Sequence, residues 1–377
     1  MNDPAAEFRV LQGELLPVVE RVLASGRYVL ADEVDRFEAA FAVRVGSAHA
    51  VGVGSGTAAL TLALRAAGLG PGDEVLTVPN TDSPTATAIT ATGADLGFVD
   101  VDPRTFCMDP AALEARLSPR TAAVVPVHLF GHAAELEPIL AVSRAHGLLV
   151  IEDAALAVGG TYDGRWVGGW GDIGCFSLAP SKILGAYGDA GVVATSDAEI
   201  ARRLRVLRNY GHAEDMLLDE RDLRGFAHWR VLEEGMNERL DELQAALLNA
   251  KLPTLEVRIA ARREHARHYG ELLAGAAAEP PLEAPRVRHV WFAYTVLVDG
   301  RERLRDHLAS REIASRLYYN PPLHLQPAFA RLGLGPGSFP VAEATAARML
   351  ALPVHPYLGE AEVERVAAAV VEGVGPR

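Results

Sequence analysis

The chain has 377 residues, 49% hydrophobic and 23% charged, which is ordinary for a globular protein and long enough for two domains. Its formal net charge of −13 argues against a nucleic-acid or anionic-membrane partner, because both select clustered Lys and Arg. Two cysteines, Cys107 and Cys175, exclude a disulfide framework and suit a cytoplasmic setting. We expect no signal peptide and no membrane span, because neither apolar pattern is present.

Short apolar runs alternate with amphipathic segments through the first two-thirds of the chain. Strands are predicted at 49–53, 74–78, 96–101, 122–127, 148–151, near 161, at 173–177 and at 191–195. Helices are predicted between them at 57–67, 85–92, 110–117, 135–145 and 198–208. Because the strands are almost continuously apolar, this rhythm predicts an α/β fold with a mostly parallel sheet covered on both faces.

The last third has a different pattern. An irregular stretch at 211–237 precedes a long helical run, 240–272, which Pro253 is expected to kink or break. After an Ala- and Pro-rich segment, a strand is predicted at 290–298 and helices at 301–309, 342–350 and 360–371. We therefore divide the chain into a large α/β domain with an N-terminal helical segment, residues 1–251, and a smaller C-terminal α+β domain, residues 252–377.

A glycine-rich turn, Gly54-Ser55-Gly56-Thr57, directly follows the first predicted strand and opens a helix. Free backbone N–H groups at a helix start, with a glycine that permits close approach and a threonine hydroxyl, can form a phosphate cradle. An ordinary strand-to-helix turn with Ser55 or Thr57 as the N-cap would use the same residues. Alone, this motif does not decide between the two.

Asp153 and Lys182 are the residues with the clearest chemistry. Asp153 ends an apolar strand, at the sheet edge where such folds bind ligands, although a helix-capping aspartate is the alternative. Lys182 lies in a loop, where a partly desolvated amine could attack an aldehyde; an exposed loop lysine is the alternative. Their order along the α/β pattern predicts a site for pyridoxal 5′-phosphate (PLP), formed with Gly56, Thr57 and Ser177.

With these residues in this order, the chain resembles the DegT/StrS family of PLP-dependent sugar aminotransferases. The resemblance runs nearly end to end and includes segments at 26–30, 54–60, 72–75, 126–131, 152–155, 185–189, 237–246 and 319–324. It implies PLP-dependent transferase fold type I, the aspartate-aminotransferase fold, with a seven-stranded, mostly parallel sheet flanked by helices.

The resemblance also implies a role for each matching residue. Lys182 would form the Schiff base with PLP and move the substrate proton, and Asp153 would pair with the ring nitrogen. Gly56, Thr57 and Ser177 would hold the phosphate. Asn237 and Arg239 would reach the active site of the neighbouring subunit in a homodimer. The substrate side would be lined by Arg27, Tyr28, Tyr187, Tyr319 and His324. No metal site is implied.

Two positions depart from the family's pattern. Leu156 stands where the family has a glutamine that bonds the cofactor's ring hydroxyl, and leucine cannot make that bond. Asp82 stands where the family has an aromatic residue that stacks on the ring. The segment 79–84 is one residue shorter than usual, so another residue could take the stacking position. The changes favour weaker PLP binding, an altered substrate or altered chemistry.

The leading interpretation is a cytoplasmic aminotransferase that moves an amino group from glutamate to a keto sugar. The acceptor would be nucleotide-linked, a dTDP- or UDP-type 3-keto or 4-keto deoxysugar. A PLP-dependent sugar dehydratase is one alternative, but relatives of that kind carry His in place of Lys182. A non-catalytic regulatory protein is another, and retention of Lys182, Asp153, Ser177 and Asn237 counts against it.

Overall fold

The computed structural model describes residues 3–212 and 231–375, so most of the predicted irregular stretch lies outside the described residues. The helices are α1 Pro4–Ser25, α2 Asp32–Val45, α3 Gly56–Ala66, α4 Ser83–Ala91, α5 Pro110–Arg116, α6 Leu136–His146, α7 Ala198–Arg208, α8 Glu242–Lys251, α9 Leu255–Leu272, α10 Arg301–Ser310, α11 Pro340–Arg348 and α12 Glu360–Val374. The strands are β1 His49–Val53, β2 Glu74–Thr77, β3 Asp95–Phe98, β4 Thr121–Val124, β5 Leu149–Asp153, β6 Thr161–Tyr162, β7 Arg165–Trp166, β8 Ile173–Ser177, β9 Gly191–Thr195, β10 Ala278–Glu279, β11 Val287–Arg288, β12 Tyr294–Val298 and β13 Met349–Leu352.

Within the described residues, seven strands form the central sheet in the order β1-β9-β8-β5-β4-β2-β3. Strands β8, β5, β4, β2 and β3 are parallel to one another, whereas β9 is antiparallel to both β1 and β8. The predicted fold class, an α/β transferase fold with a mostly parallel seven-stranded sheet, is therefore confirmed.

The sheet separates two hydrophobic cores, one on each face. Val193 of β9 packs in the first core, while its neighbours Val192 and Ala194 pack in the second, as the two-residue period of a strand requires. Helices α3 and α4 contribute side chains to the first core, and α2 and α8 to the second. Because both faces are covered, β8 and β9 are buried along their whole length, which explains their continuous apolar sequences.

The C-terminal part forms a third core on a three-stranded antiparallel sheet, β10-β12-β13. Its buried residues extend from Ala266 to Val370 and include side chains of α9, α10 and α12. The core lies within the predicted small domain, and the boundary at residue 252 stays a prediction. The predicted break at Pro253 is confirmed, because a single 3-10 turn, Leu252–Thr254, separates α8 from α9.

Two predicted elements in this part were wrong in their limits. The strand predicted at 290–298 begins only at Tyr294. The helix predicted at 342–350 ends at Arg348, because Met349–Leu352 forms β13 and pairs with β12. A run of four apolar residues fits either the end of a helix or a buried strand. A neighbouring strand with which it can pair decides between the two. No helix among the described residues has both the length and the apolar character needed to cross a membrane.

Candidate active site

The predicted residues converge at the carboxyl edge of the sheet. Asp153 ends β5 and Ser177 ends β8, and these strands are parallel neighbours. Helix α3 begins close by, and the loop that follows β8 carries Lys182. Because ligands of open α/β sheets bind at this edge, the arrangement forms a natural site. A cavity of about 280 Å³ is lined there by Gly56, Thr57, Asp153, Ser177, Lys182 and Tyr319, together with residues discussed below.

The start of α3 is built to hold an anion. Ser55 is the N-cap, and its hydroxyl accepts a hydrogen bond from the Ala58 N–H at 3.0 Å. A Cβ on Gly56 would lie 2.5 Å from the Cβ of Ser177, so only glycine lets the first turn pack against the end of β8. Backbone N–H groups, the positive end of the helix dipole and two hydroxyls, Thr57 and Ser177, therefore face one cavity. This donor set fits a phosphate group.

Asp153 is a buried carboxylate whose position is fixed by hydrogen bonds. Its side chain accepts from the Thr85 hydroxyl at 2.8 Å and from the Ala155 N–H at 3.1 Å. Burial raises the pKa of Asp153, although these two bonds and the positive charge of Lys182 oppose that change. A buried carboxylate of this kind gains stability from a cationic partner, and a protonated ring nitrogen is such a partner.

Thr85 was not among the predicted site residues. It lies in the first turn of α4, lines the cavity and shares a hydrogen bond of 2.9 Å with the Thr81 hydroxyl. The two threonines therefore form a buried chain of hydroxyls that ends on Asp153. Their spacing of four residues at a predicted helix start was the available signal, but the contact with Asp153 joins residues 68 positions apart.

Lys182 has the properties of a reactive amine. Burial lowers its pKa, and the negative charges of Asp153 and Asp82 oppose this only in part. A larger fraction of the amine is thus neutral near physiological pH than for an exposed lysine. Its Nζ lies 5.1 Å from the ring centroid of Phe292, which comes from the C-terminal part of the chain.

A buried pair behind Asp153 fixes the end of β5. Glu152 bonds to His128 Nε2 at 3.0 Å and accepts backbone N–H groups of Gly168, Trp170 and Gly171. Burial would raise the pKa of Glu152, but these bonds outweigh it and hold the pKa below its usual value. The His128 N–H also donates to the Asp153 carbonyl at 3.0 Å. The backbone that carries Asp153 is therefore rigidly held.

Comparison with known proteins places this geometry in a family. The DegT/DnrJ/EryC1/StrS aminotransferase family matches residues 10–371. The chain belongs to this family. One relative, the UDP-N-acetyl-3-dehydro-alpha-D-glucosamine 3-aminotransferase of Acidithiobacillus ferrooxidans, is 42% identical over 370 residues, covering 98% of this chain and 96% of the relative. A "pleiotropic regulatory protein" of Geobacillus stearothermophilus is 41% identical over 375 residues, covering 99% and 97%.

Solved structures agree with this assignment. DesV of S. venezuelae, in complex with a ketimine intermediate, has a TM-score of 0.92 and 40% identity, covering 98% of this chain and 96% of that one. NtdA of Bacillus subtilis, with bound PMP, has a TM-score of 0.86 and 27% identity, covering 95% and 80%. The family resemblance inferred from the sequence is confirmed.

Several residues to which the family pattern gave a role lie outside the cavity of their own chain. Arg27 is exposed and pairs with Asp32 at 2.8 Å, and the Tyr28 hydroxyl donates to the Leu23 carbonyl. His324 is buried and bonds to Glu343 at 3.0 Å. Their roles in substrate binding stay predictions.

Tyr187, Asn237 and Arg239 are also not among the residues that line this cavity. The ring of Tyr187 lies against Lys251, with its centroid 4.9 Å from Nζ. Asn237 forms a backbone bridge with Asn209. Arg239 donates to the Asn209 side chain at 3.1 Å and lies over the ring of Tyr210. The roles of Asn237 and Arg239 toward a neighbouring subunit stay predictions.

Both positions that depart from the family's pattern line the cavity. Leu156 is buried and packs into the first core, so it forms an apolar wall. Asp82 is the N-cap of α4 and accepts the Ser83 N–H at 2.8 Å. Tyr319 is the one aromatic residue among the described residues that line the cavity. The cavity therefore combines the charged groups of Asp153, Lys182 and Asp82 with an apolar wall at Leu156 and a single aromatic residue among its described lining.

The charge of Asp82 acts on Lys182, which leads to a testable prediction. Because the Asp82 carboxylate raises the pKa of Lys182, Asp82→Asn should lower that pKa, and the neutral amine should appear at a lower pH. Asparagine keeps the N-cap, so α4 should be unaffected. The pH dependence of the reaction between Lys182 and an amine reagent, followed in cofactor-free protein by peptide mass spectrometry, measures the change. An unchanged or higher pKa would contradict the prediction.

Proposed function

We propose that this protein is a PLP-dependent aminotransferase that moves an amino group from glutamate to a nucleotide-linked keto sugar. The acceptor would be a dTDP- or UDP-type sugar with a ketone at C3 or C4. The observation that carries the proposal is the convergence of Lys182, Asp153 and the start of α3 on one cavity. Each supplies a different part of what this chemistry needs: an amine, a buried acid and an anion cradle.

The residues present fit PLP. Gly56, Thr57 and Ser177 would hold its phosphate, Asp153 its ring nitrogen and Lys182 its aldehyde carbon. When bound, PLP supplies an electron sink that stabilises negative charge on the carbon that loses a proton. Asp153 remains ionised opposite a positively charged partner, because that partner offsets the cost of burying the carboxylate.

Lys182 is suited to carry the proton. Its lowered pKa lets the amine accept a proton from the α-carbon of glutamate and return it at a neighbouring atom. Leu156 and Phe292 place apolar surface beside the amine, which limits access of water. Thr85 and the backbone of Ala155 keep Asp153 in one orientation during both half-reactions.

We propose a homodimer with shared active sites as the working unit. Asn237 and Arg239 lie beside an exposed apolar surface formed by Tyr28, Val29 and Tyr210, whose exposed fractions are 50%, 41% and 45%. Val29 pairs with Asp241 and Tyr210 lies under Arg239, so both exposed residues contact the segment that carries Asn237 and Arg239. Solvent exposure of this much apolar surface favours burial against a second subunit.

A regulatory role is the second candidate, because one relative of 41% identity bears the name of a regulatory protein. The half-buried amine of Lys182 and the buried acid of Asp153 argue against it, since a scaffold has no need for two opposed charges in a cavity. A sugar dehydratase is the remaining alternative, and the retained Lys182 counts against it.

The test uses purified protein loaded with PLP. Glutamate should shift the visible absorbance to that of the pyridoxamine form and release 2-oxoglutarate. The loaded protein is then mixed with UDP- and dTDP-linked 3-keto and 4-keto sugars, and the aminated product is identified by mass spectrometry. Release of water without amination would favour the dehydratase. No reaction with glutamate or any other amino acid would rule out an aminotransferase.

A further inference from the structure

The chain contains only two lysines, Lys182 and Lys251, because 34 of its 36 basic residues are arginine. Arginine therefore serves at every other cationic position. Lys182 needs to be a lysine if it is the reactive amine, since a guanidinium does not lose its proton. That argument does not apply to Lys251. Its contacts explain why this position holds a lysine and not an arginine.

Lys251 is the last residue of α8 and is almost fully buried, with 1% of its surface exposed. Its Nζ donates to Glu7 Oε2 at 2.5 Å and also to the carbonyl oxygen of Gly185. Gly185 lies three residues after Lys182, in the loop 178–190 between β8 and β9. The second lysine of the chain is thus bonded to the loop that carries the first.

The loop 178–190 is tightly folded and attached to α8. The Ala186 N–H donates to the Leu178 carbonyl at 2.7 Å, and the Tyr187 N–H donates to Gln244 Oε1 at 2.9 Å. A Cβ on Gly185 would lie 2.7 Å from the Pro180 carbonyl oxygen, so this turn has no space for a side chain. Helix α8 therefore holds the loop at Gly185 and at Tyr187, through Lys251 and Gln244.

Glu7 connects Lys251 to Arg258 of α9 and to Tyr357. Besides Lys251, its carboxylate accepts from Arg258 Nη1 at 2.7 Å, and the Tyr357 hydroxyl lies 3.5 Å from it. Arg258 Nη2 donates in turn to the Lys251 carbonyl at 3.1 Å. The charged groups around Lys251 are thus Glu7 from α1 and Arg258 from α9. A small cavity is lined by Glu7 and Arg258 and also by Lys182.

We propose that Lys251 is a positioning residue for Lys182: its ammonium group bridges Glu7 and the Gly185 carbonyl and holds the loop 178–190 against α8. The Lys182 amine is thereby kept at its depth in the cavity. The proposal rests on the proposed function only in taking Lys182 as the reactive amine. A lysine is required because one compact nitrogen directs bonds to both acceptors, whereas the planar guanidinium of arginine is larger and donates in a fixed fork.

The charge balance of the cluster is consistent with this bridge. Burial lowers the pKa of Lys251 to about 8, and Arg258 lowers it too, while Glu7 opposes the change. The ammonium form therefore depends on Glu7. Glu7→Gln should weaken the same bridge without changing the volume of the side chain.

The test follows Lys182 in cofactor-free protein, so it does not depend on catalysis. In Lys251→Met, Lys182 is the only remaining lysine, and its reaction with trinitrobenzenesulfonate can be read by peptide mass spectrometry at each pH. We expect the half-reactive pH of Lys182 to rise by about one, because the amine moves toward water. Lys251→Arg should show the same change, and Glu7→Gln a smaller one in the same direction.

Arg301→Met is the matched control. Arg301 is a buried cation of the C-terminal part that donates to the Ala346 carbonyl, and it does not contact the loop. The Arg301→Met substitution should lower the melting temperature but leave the titration of Lys182 unchanged. If Lys251→Met also lowers only the melting temperature, the bridge is structural and the proposal is wrong. Normal titration in Lys251→Arg would equally contradict it. Should Lys251→Met not fold, Glu7→Gln provides the same comparison.

Discussion

Replacing Lys182 by alanine is expected to reduce amino-group transfer by at least about 10³-fold, because one substitution removes both the nucleophile and the proton carrier. Burial lowers the pKa of this amine, and the chain has only one other lysine, which is bonded to Glu7 and Gly185. No nearby amine can therefore take over. Release of 2-oxoglutarate from glutamate, measured in a single turnover, gives the rate.

Lys182→Arg is the control, because it keeps the positive charge opposite Asp153 but cannot act as a nucleophile. It should lose as much activity as the alanine variant. Both variants should still bind PLP, since the start of α3, Ser177 and Asp153 are intact, and equilibrium dialysis measures this. Activity within tenfold of the unchanged protein in either variant would contradict the assigned role of Lys182.

The position of the cavity could be predicted because it follows from local patterns. An apolar strand that ends in Asp153, a glycine-rich turn after β1 and a lysine in the loop after β8 each lie within a few residues of a strand end. Parallel strands bring their carboxyl ends to one edge of the sheet. The α/β pattern therefore predicts that Asp153, the glycine-rich turn and Lys182 lie close together.

Contacts between distant segments could not be predicted in this way. The bond between Thr85 and Asp153 joins residues 68 positions apart, and the bond between Lys251 and Glu7 joins residues 244 positions apart. Side-chain partners of this kind depend on how helices pack, which hydrophobic periodicity does not specify. The same holds for β13, whose four apolar residues are a strand only because β12 lies beside them.

Asp153→Asn should reduce the rate of transfer by about 10²–10³-fold, the loss typical when one preorganised electrostatic group is removed from an active site. Asparagine has nearly the same shape, but its single side-chain oxygen can accept from Thr85 or from Ala155 and not from both. It also carries no charge to keep a ring nitrogen protonated. Thr85→Val is the matched control: it removes the bond of 2.8 Å but leaves the charge, so about a tenfold loss is expected. Equal losses in the two variants would show that orientation, and not charge, is what Asp153 provides.

Asp153→Asn should lower the rate of transfer but increase the stability of the cofactor-free fold. Burial raises the pKa of Asp153 above its ordinary value of 3.8, so the cofactor-free fold binds this proton more tightly than the unfolded chain does. The protonated carboxyl of Asp153 therefore stabilises the fold fully below pH 3.8, and this stabilisation is lost as the pH rises through the folded-state pKa. At neutral pH the ionised carboxylate destabilises the fold, and Asp153→Asn should raise the melting temperature of cofactor-free protein. PLP should reduce or reverse that gain, because a ring cation pairs only with the carboxylate. Equal changes in melting temperature with and without PLP would mean that Asp153 does not face the ring.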